Sequence, residues 1–479
     1  MKTFLGLTLL ALVLPVSAYD IVLNNGRVMD PETGLDAIRH VAIEDARVVA
    51  VSERPLQGDT TIDVGGHVVA PGFIDLHAHG QDTRSRSFQV RDGVTTAIEG
   101  EIGVLPLNLW LESQRGKSIT NYGATASHLA GRAGYLLNLE IGNPIYLSAD
   151  IRSNPSVDYA NTRLEGADLD RLVDRIAHGV REGGLGIGIG ATYTPGASHA
   201  EMYALFKVAA DLGVPIFVHI RQARYMGGDL LAPLQEMIAN AATTGASLHV
   251  VHINSSLDKD AQLAMELIRS ARAKGIDVTT EAYPYTAGST RIESALFDDY
   301  QGDYSQLQWT ETGERLTQET FEEYRKLGGW VILHGRDEAM NTWITAQPDI
   351  IVASDGVPFV GNASHPRGAG TYARVLGHYA RDVGALDLMT ALSKMTILPA
   401  RRLEAFTPAM KKKGRLQVGS DADIVVFDPE KILDQATYTL PARASLGISH
   451  VLVNGQFVVR DAELVADTYP GLPIRSEIR

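Results

Sequence analysis

The run VAPGFIDLHAHG, Val69 to Gly80, sets two histidines two residues apart at the end of an apolar, turn-bounded stretch. Side chains of a strand repeat their direction every second residue, so His77 and His79 face the same way. Two imidazoles converging from one strand make half of a transition-metal site. Single histidines recur at His219 in VPIFVHIR and His252 in SLHVVHINS, and acids end other apolar runs: Glu99 and Glu101 after GVTTAI, Asp355 in DIIVASDG. The chain has no cysteine, so every ligand must be His, Asp, Glu or a modified Lys. Zinc held there would lower the pKa of its water to about 7 and polarise a carbonyl, while a carboxylate beside it shuttles a proton. That is hydrolytic chemistry.

Such residues need a scaffold that brings distant strand ends together. Between residues 69 and 406, apolar strand-like runs alternate with helical stretches such as Asp168 to Arg181 and Ala200 to Leu212. The runs are the His77 strand, GVTTAIEG, NYGATASHLAG, GGLGIGIGA, VPIFVHIR, SLHVVHINS, DVTTEAYPY and DIIVASDG. Continuous apolar strands interleaved with helices imply a parallel sheet covered on both faces, and about eight of them close a (β/α)₈ TIM barrel. A doubly wound sheet lacks support, because GLGIGIGA has glycines without the G-x-G-x-x-G helix start. In a barrel, function collects at the C-terminal strand ends, where His77, His79, Glu99, Glu101, His128, Tyr193, His219, Arg221, His252, Tyr283, Tyr285 and Asp355 all fall. His128 and His334 read as structural histidines rather than ligands.

Residues 19–68 and 407–479 read instead as short strands with turn punctuation, Asn24-Asn25-Gly26 and Asn454-Gly455 being hairpin signals. Both ends together make one small β-sandwich. Residues 1–18 carry an early lysine, an apolar stretch from Phe4 to Val16 and the small-residue pattern Val16-Ser17-Ala18, the marks of a cleaved signal peptide and a periplasmic or secreted address. The apolar stretch is short of the roughly 20 residues that span a bilayer, so stable membrane association is not expected. With 43 basic and 57 acidic residues and a formal charge of −14, no basic stripe is offered to nucleic acid; Lys411-Lys412-Lys413 reads as a solvated cluster. The sequence is compatible with a homo-oligomer.

The motifs resemble the amidohydrolase superfamily, and within it the N-acyl-D-amino-acid deacylase (D-aminoacylase) group. The superfamily marks are PGFIDLHAH at Pro71 to His79, His219, His252, Ala353-Ser354-Asp355 and the closing PARRLEAF…KKKGRLQVGSDADIVVFDP. The group marks are TYTPG at Thr192 to Gly196, VHIR at Val218 to Arg221, YPYTAGST at Tyr283 to Thr290, and His365-Pro366-Arg367. The resemblance implies a zinc-dependent hydrolase of amide C–N bonds acting on a small N-acyl amino acid or peptide-like compound. His77, His79 and Asp355 would bind one metal and His219 and His252 the second, with Asp355 also accepting the attacking water's proton and passing it to the leaving amine. The group's usual cysteine ligand after the second strand is missing, and Gly183 to Gly196 holds no lysine to carboxylate. The bridging anion then falls to Glu101, with Glu99 as the substitute, and two zinc ions per chain are expected. Arg367, with Arg221 or Arg291, would pair with a substrate carboxylate in a forked geometry. Tyr193 and Tyr283 would hold the carbonyl or that carboxylate, and His365 would contact substrate from a mouth loop. Asn254 stands where the group has a lysine, so one cationic contact is absent. A cyclic amidase, a deaminase or a dipeptidase on the same barrel is the alternative enzyme, and a catalytically dead metal- or ligand-binding barrel the alternative class.

Overall fold

Period-two alternation of apolar residues decides how the first strands assemble. A computed structural model describes residues 19–142, 158–221 and 230–477; the leader expected over residues 1–18 lies outside the described residues. The chain opens with β1 (Tyr19–Asp30), β2 (Leu35–Glu44), β3 (Arg47–Ser52), β4 (Gly58–Asp63) and β5 (Val68–Pro71). Asn24-Asn25-Gly26 is not a hairpin turn. Asn25 takes a positive φ of 66°, and the register of β1 against β2 shifts between Leu23 and Gly26, so the Asn-Gly chemistry makes a bulge inside one long strand. The kink lets the first half of β1 pair with β4 and the second half with β5.

The barrel follows as β6 (Phe73–Asp75), β7 (Val94–Val104), β8 (Asn121–Ser127), β9 (Ile187–Gly190), β10 (Ile216–His219), β11 (Leu248–Val250) and β12 (Val278–Ala282). These and β16 below are the eight runs read from the sequence. A three-stranded antiparallel insert then intervenes, β13 (Gly288–Arg291), β14 (Leu307–Trp309) and β15 (Trp330–Leu333), in the order β13-β15-β14. Its own core includes Phe297, Trp309, Phe321 and Val331. The eighth barrel strand, β16 (Ile351–Val352), completes the order β6-β7-β8-β9-β10-β11-β12-β16. A parallel bridge between Ala78 and Gly356 closes the ring, with the His79 amide donating to the Gly356 carbonyl at 2.9 Å. Helices Gly166–Arg181 and His199–Leu212 lay Leu172, Ile176, Val180 and Leu205 against Ile187 and Ile189 of β9, burying the outer face of the sheet as a parallel arrangement requires.

The chain then returns to the first sheet through β17 (Ile424–Phe427), β18 (Ile448–Val453), β19 (Gln456–Arg460) and β20 (Glu463–Leu464), giving nine strands drawn from both ends. β17 lies antiparallel between β5 and β18. Val69, Ile424 and Val426 point into the sandwich core with Leu23 and Val41, while Val68, Val425 and Phe427 face the barrel helices at Tyr372, Val375 and Leu376. Asn454 and Gly455, with φ of 48° and 76°, make the expected tight turn between β18 and β19. Lys413 is not solvated: it is buried against Asp421 at 2.9 Å and Asp423 at 2.6 Å. Among the described residues no helix is long and apolar enough to cross a membrane.

Candidate metal centre and active site

Residues in or just past five barrel strands, β6, β7, β10, β11 and β16, converge on one buried cluster. His77 and His79 follow β6, with Nε2 atoms 3.0 Å apart. Glu101 Oε2 lies 2.8 Å from His77 Nε2 and 3.1 Å from His79 Nε2, and Asp355 Oδ1, past β16, is 3.4 Å from each. The other Glu101 oxygen, Oε1, is 2.6 Å from His219 Nδ1 and 3.7 Å from His252 Nε2. Two ligand groups thus share one carboxylate: His77, His79, Glu101 and Asp355, and Glu101, His219 and His252. It is Glu101, not Glu99, whose oxygens lie between them.

Local backbone irregularity aims these side chains. β7 changes register against β8 between Glu99 and Val104, and a Cβ on Gly100 would sit 2.2 Å from the Leu76 carbonyl oxygen, so glycine is what lets Glu99 and Glu101 approach the His77 segment. His252 and Asp355 both hold positive φ, 28° and 52°, a strained conformation of the kind that collects at functional sites. Asp75 clips the barrel seam behind the cluster, accepting from the Ser354 and His77 amides at 3.0 and 3.1 Å.

The outer nitrogens of the first pair are held by acids. His77 Nδ1 is 2.5 Å from Glu281 Oε1, and His79 Nδ1 is 3.0 and 3.1 Å from the two oxygens of Glu99. Carboxylates on Nδ1 fix the tautomer and leave Nε2 bare, the arrangement of metal-binding histidines. Both Nε2 lone pairs, Glu101 Oε2 and Asp355 Oδ1 are then four acceptors facing one another with no donor, which a divalent cation satisfies. The electrostatics agree. Burial opposes charge on His77, but Asp355, Glu281 and Glu101 outweigh it and raise its pKa well above the ordinary histidine value. Burial is likewise outweighed at His79 by Glu99, Asp355 and Glu101. The negative charge calls for a cation, and without one it draws protons. Despite burial, His77 and His219 hold Glu101 well below the usual carboxylate range, and Arg367 and His77 do the same for Asp355.

The cluster floors a cavity of about 1000 Å³, counting its open mouth. Tyr193 and Tyr283 line it; the Tyr193 hydroxyl accepts from Thr290 Oγ1 at 3.1 Å and its ring lies 5.2 Å from that of His219. Arg367 lines it with Nη1 2.9 Å from Asp355 Oδ2 and its guanidinium 4.7 Å from the Tyr283 ring centroid. Its Nε and Nη1 are buried without an aligned acceptor among the described residues.

A model of the amidohydrolase family matches residues 60–459. The chain belongs to that family. This amidohydrolase is 31% identical to the N-acyl-D-glutamate deacylase of Alcaligenes xylosoxydans xylosoxydans, over 91% of this chain and 93% of that one. It is 28% identical to the D-aminoacylase of the same organism, over 91% and 94%. Its fold matches the crystal structure of N-acyl-D-glutamate deacylase from Bordetella bronchiseptica, complexed with zinc and a phosphonate inhibitor, with a TM-score of 0.80 at 24% identity, covering 96% of this chain and all of that one.

Two of the substrate contacts expected from the sequence, Arg221 and His365, do not line the cavity of this amidohydrolase. Arg221 lies beyond the end of β10, where strand alternation no longer sets direction, and pairs with Glu236 at 3.0 Å and the Ala197 carbonyl at 2.7 Å. His365 is buried behind Arg367, its Nδ1 accepting the Arg367 amide at 3.1 Å. It positions the arginine rather than lining the cavity. His128 is tied to Glu201 at 2.8 Å and His334 to Gln308 at 2.8 Å, structural roles both. Asn254 donates to the Tyr283 carbonyl and to Asn341, each at 2.9 Å, and so braces the end of β12. Sequence reasoning missed Glu281, although an acid in the middle of an apolar strand was its signal. It also missed Arg336, which reaches in from the end of β15 to donate to the Tyr283 hydroxyl at 2.8 Å and Ser255 Oγ at 2.7 Å.

Proposed function

We propose that the chain is a zinc-dependent deacylase of N-acyl amino acids, of the D series, with one zinc ion in each of the two ligand groups. The observation that carries this is the Glu101 carboxylate shared by two histidine pairs at the floor of a cavity walled by arginines. Zinc, when bound, supplies Lewis acidity, lowering the pKa of water and polarising the amide carbonyl. His77, His79, Glu101 and Asp355 would hold one ion and Glu101, His219 and His252 the other.

The remaining work falls to the chain's own groups. Asp355 stays ionised beside Arg367 and so can accept a proton from the attacking water and return it to the leaving amine. Arg367 and Arg336 flank the Tyr283 ring, at 4.7 and 5.5 Å from its centroid, and offer one cationic face for the substrate carboxylate. Tyr193 is kept protonated by burial, which raises its pKa well above the ordinary phenol, so its hydroxyl can donate to the carbonyl oxygen. The deacylase names of the relatives support this choice of substrate. Residues 1–18 are proposed as a leader removed before Tyr19, delivering the enzyme to the periplasm or medium.

The test is hydrolysis of a panel of N-acyl-D-amino acids, N-acyl-L-amino acids, dipeptides and cyclic amides by zinc-reconstituted protein, with Asp355→Asn as control. Turnover of the D compounds, lost by about 10³-fold or more in Asp355→Asn, is the expected result. Activity confined to dipeptides or cyclic amides, or full activity in Asp355→Asn, overturns it.

A further inference from the structure

The insert places in the cavity wall an ion pair that the proposed chemistry does not use. β13 runs outward from the centre: the Ser289 carbonyl accepts from Arg367 Nη2 at 3.2 Å, Thr290 donates to Tyr193, and Arg291 then turns to Glu293. Arg291 Nη2 is 2.6 Å and Nε 2.7 Å from Glu293 Oε1. The second Glu293 oxygen accepts the Gly329 amide at 3.0 Å. Glu293 is buried, its side chain 7% exposed, while that of Arg291 is 25% exposed. Both line the cavity, together with the apolar Ile102, Leu129, Leu296, Trp330 and Leu333 and the small polar Ser289, Thr290 and Ser294.

Charge decides what this wall accepts. The described cationic side chains of the lining, histidines aside, are Arg291, Arg336 and Arg367. Arg336 and Arg367 serve the single face above Tyr283. Arg291 is neutralised at contact distance by a carboxylate that the Gly329 amide anchors. A second carboxylate on the substrate would find Arg291 already paired and no free guanidinium on this wall, so its lost hydration would go uncompensated.

We propose that Glu293 is a specificity-determining residue: by tying up Arg291 it restricts substrates to one carboxylate and a neutral, apolar side chain. The inference rests on the deacylase reading and names its substrate class. It runs against the acidic side chain in the name of the 31% identical relative.

The experiment compares kcat/KM for N-acetyl-D-leucine, N-acetyl-D-glutamate and N-acetyl-D-lysine on the zinc-reconstituted full chain, with calorimetric binding of the same compounds to Asp355→Asn protein. Leucine is expected to exceed glutamate by about 100-fold or more in both readouts. Glu293→Gln keeps the shape and an acceptor for Gly329 but frees Arg291, and should raise the glutamate-to-leucine ratio by about 10-fold or more, mainly through KM. Arg291→Met leaves Glu293 bare and should raise the lysine-to-leucine ratio instead, which keeps the proposal testable if Glu293→Gln does not fold. Wild-type preference for glutamate or lysine overturns it, as do unchanged ratios in the variants. Failure to hydrolyse any N-acetyl amino acid would instead overturn the deacylase reading, and this inference with it.

Discussion

Glu281 touches neither ligand group's bridging carboxylate, yet replacing it by glutamine should loosen one metal and not the other. Its two oxygens lie 2.5 Å from His77 Nδ1 and 2.9 Å from His249 Nε2. Burial opposes its charge, but His77 and His249 outweigh that and hold its pKa down to about 2, so it works as a double acceptor. Glutamine has a single acceptor oxygen. If that oxygen serves His249, the amide nitrogen confronts His77 Nδ1, which must give up its proton, and the proton moves to Nε2 and blocks ligation. Losing such a partner typically costs 10- to 100-fold in metal affinity, about 1.4 to 2.7 kcal/mol. Glu99→Gln should cost less, under about 10-fold, because His79 Nδ1 lies within reach of both Glu99 oxygens and the amide oxygen can take over. Competition for zinc with a chromophoric chelator, on protein whose folding is checked by circular dichroism, resolves the two classes of site. The His77–His79 class should weaken and the His219–His252 class stay within about threefold. Unchanged affinities in Glu281→Gln, a larger loss in Glu99→Gln, or a loss confined to the His219 group would refute the argument.

Two further outcomes follow from the same geometry and from the barrel's flank. A Cβ on Gly288 would sit 2.5 Å from Arg336 Nη2 and 3.0 Å from the Tyr283 hydroxyl, so Gly288→Ala should displace Arg336 and raise KM for the carboxylate substrate about 10-fold with little change in kcat; steady-state kinetics checks it, and an unchanged KM refutes it. Lys394 packs beside Ala282, Ile350, Val352 and Val375, with its ammonium on the Gln347 carbonyl. Burial pulls its pKa from 10.5 to about 7. Between those values the unfolded chain binds the extra proton, so the contribution of Lys394 to stability improves as pH rises from about 7 and is at its worst below that. Lys394→Met should therefore raise Tm at pH 6.5, by an amount equivalent to roughly 2 kcal/mol, with a gain that shrinks by pH 9.5. A gain independent of pH in thermal melts refutes the assignment.

What could be read from residues alone followed periodicity. All eight barrel strands stood out because a parallel strand buried on both faces is a continuous apolar run, and the proposed ligands His77, His79, Glu101, His219, His252 and Asp355 terminate those runs. The insert was illegible because its strands, GSTR, LQW and WVIL, are short, and its aromatic core is assembled by helices and turns without a sustained period. Arg336 was lost with it. Glu281 was passed over because only the closed ring shows that the middle of DVTTEAYPY points inward at His77. Arg221 and His365 were misplaced because both lie just outside regular elements, where spacing stops dictating direction.

The central place of β17 in the nine-stranded sheet has a consequence for biogenesis. β5 leaves the early strands about 350 residues before β17 arrives to cover its far side. Until nearly nine-tenths of the polypeptide has emerged, that strand presents unpaired amides and carbonyls, a template for other nascent chains. Shortened products ending before Ile424 should therefore accumulate as aggregates even with every ligand histidine in place, and the small sandwich acts as the clasp that makes maturation of the barrel an all-or-nothing event.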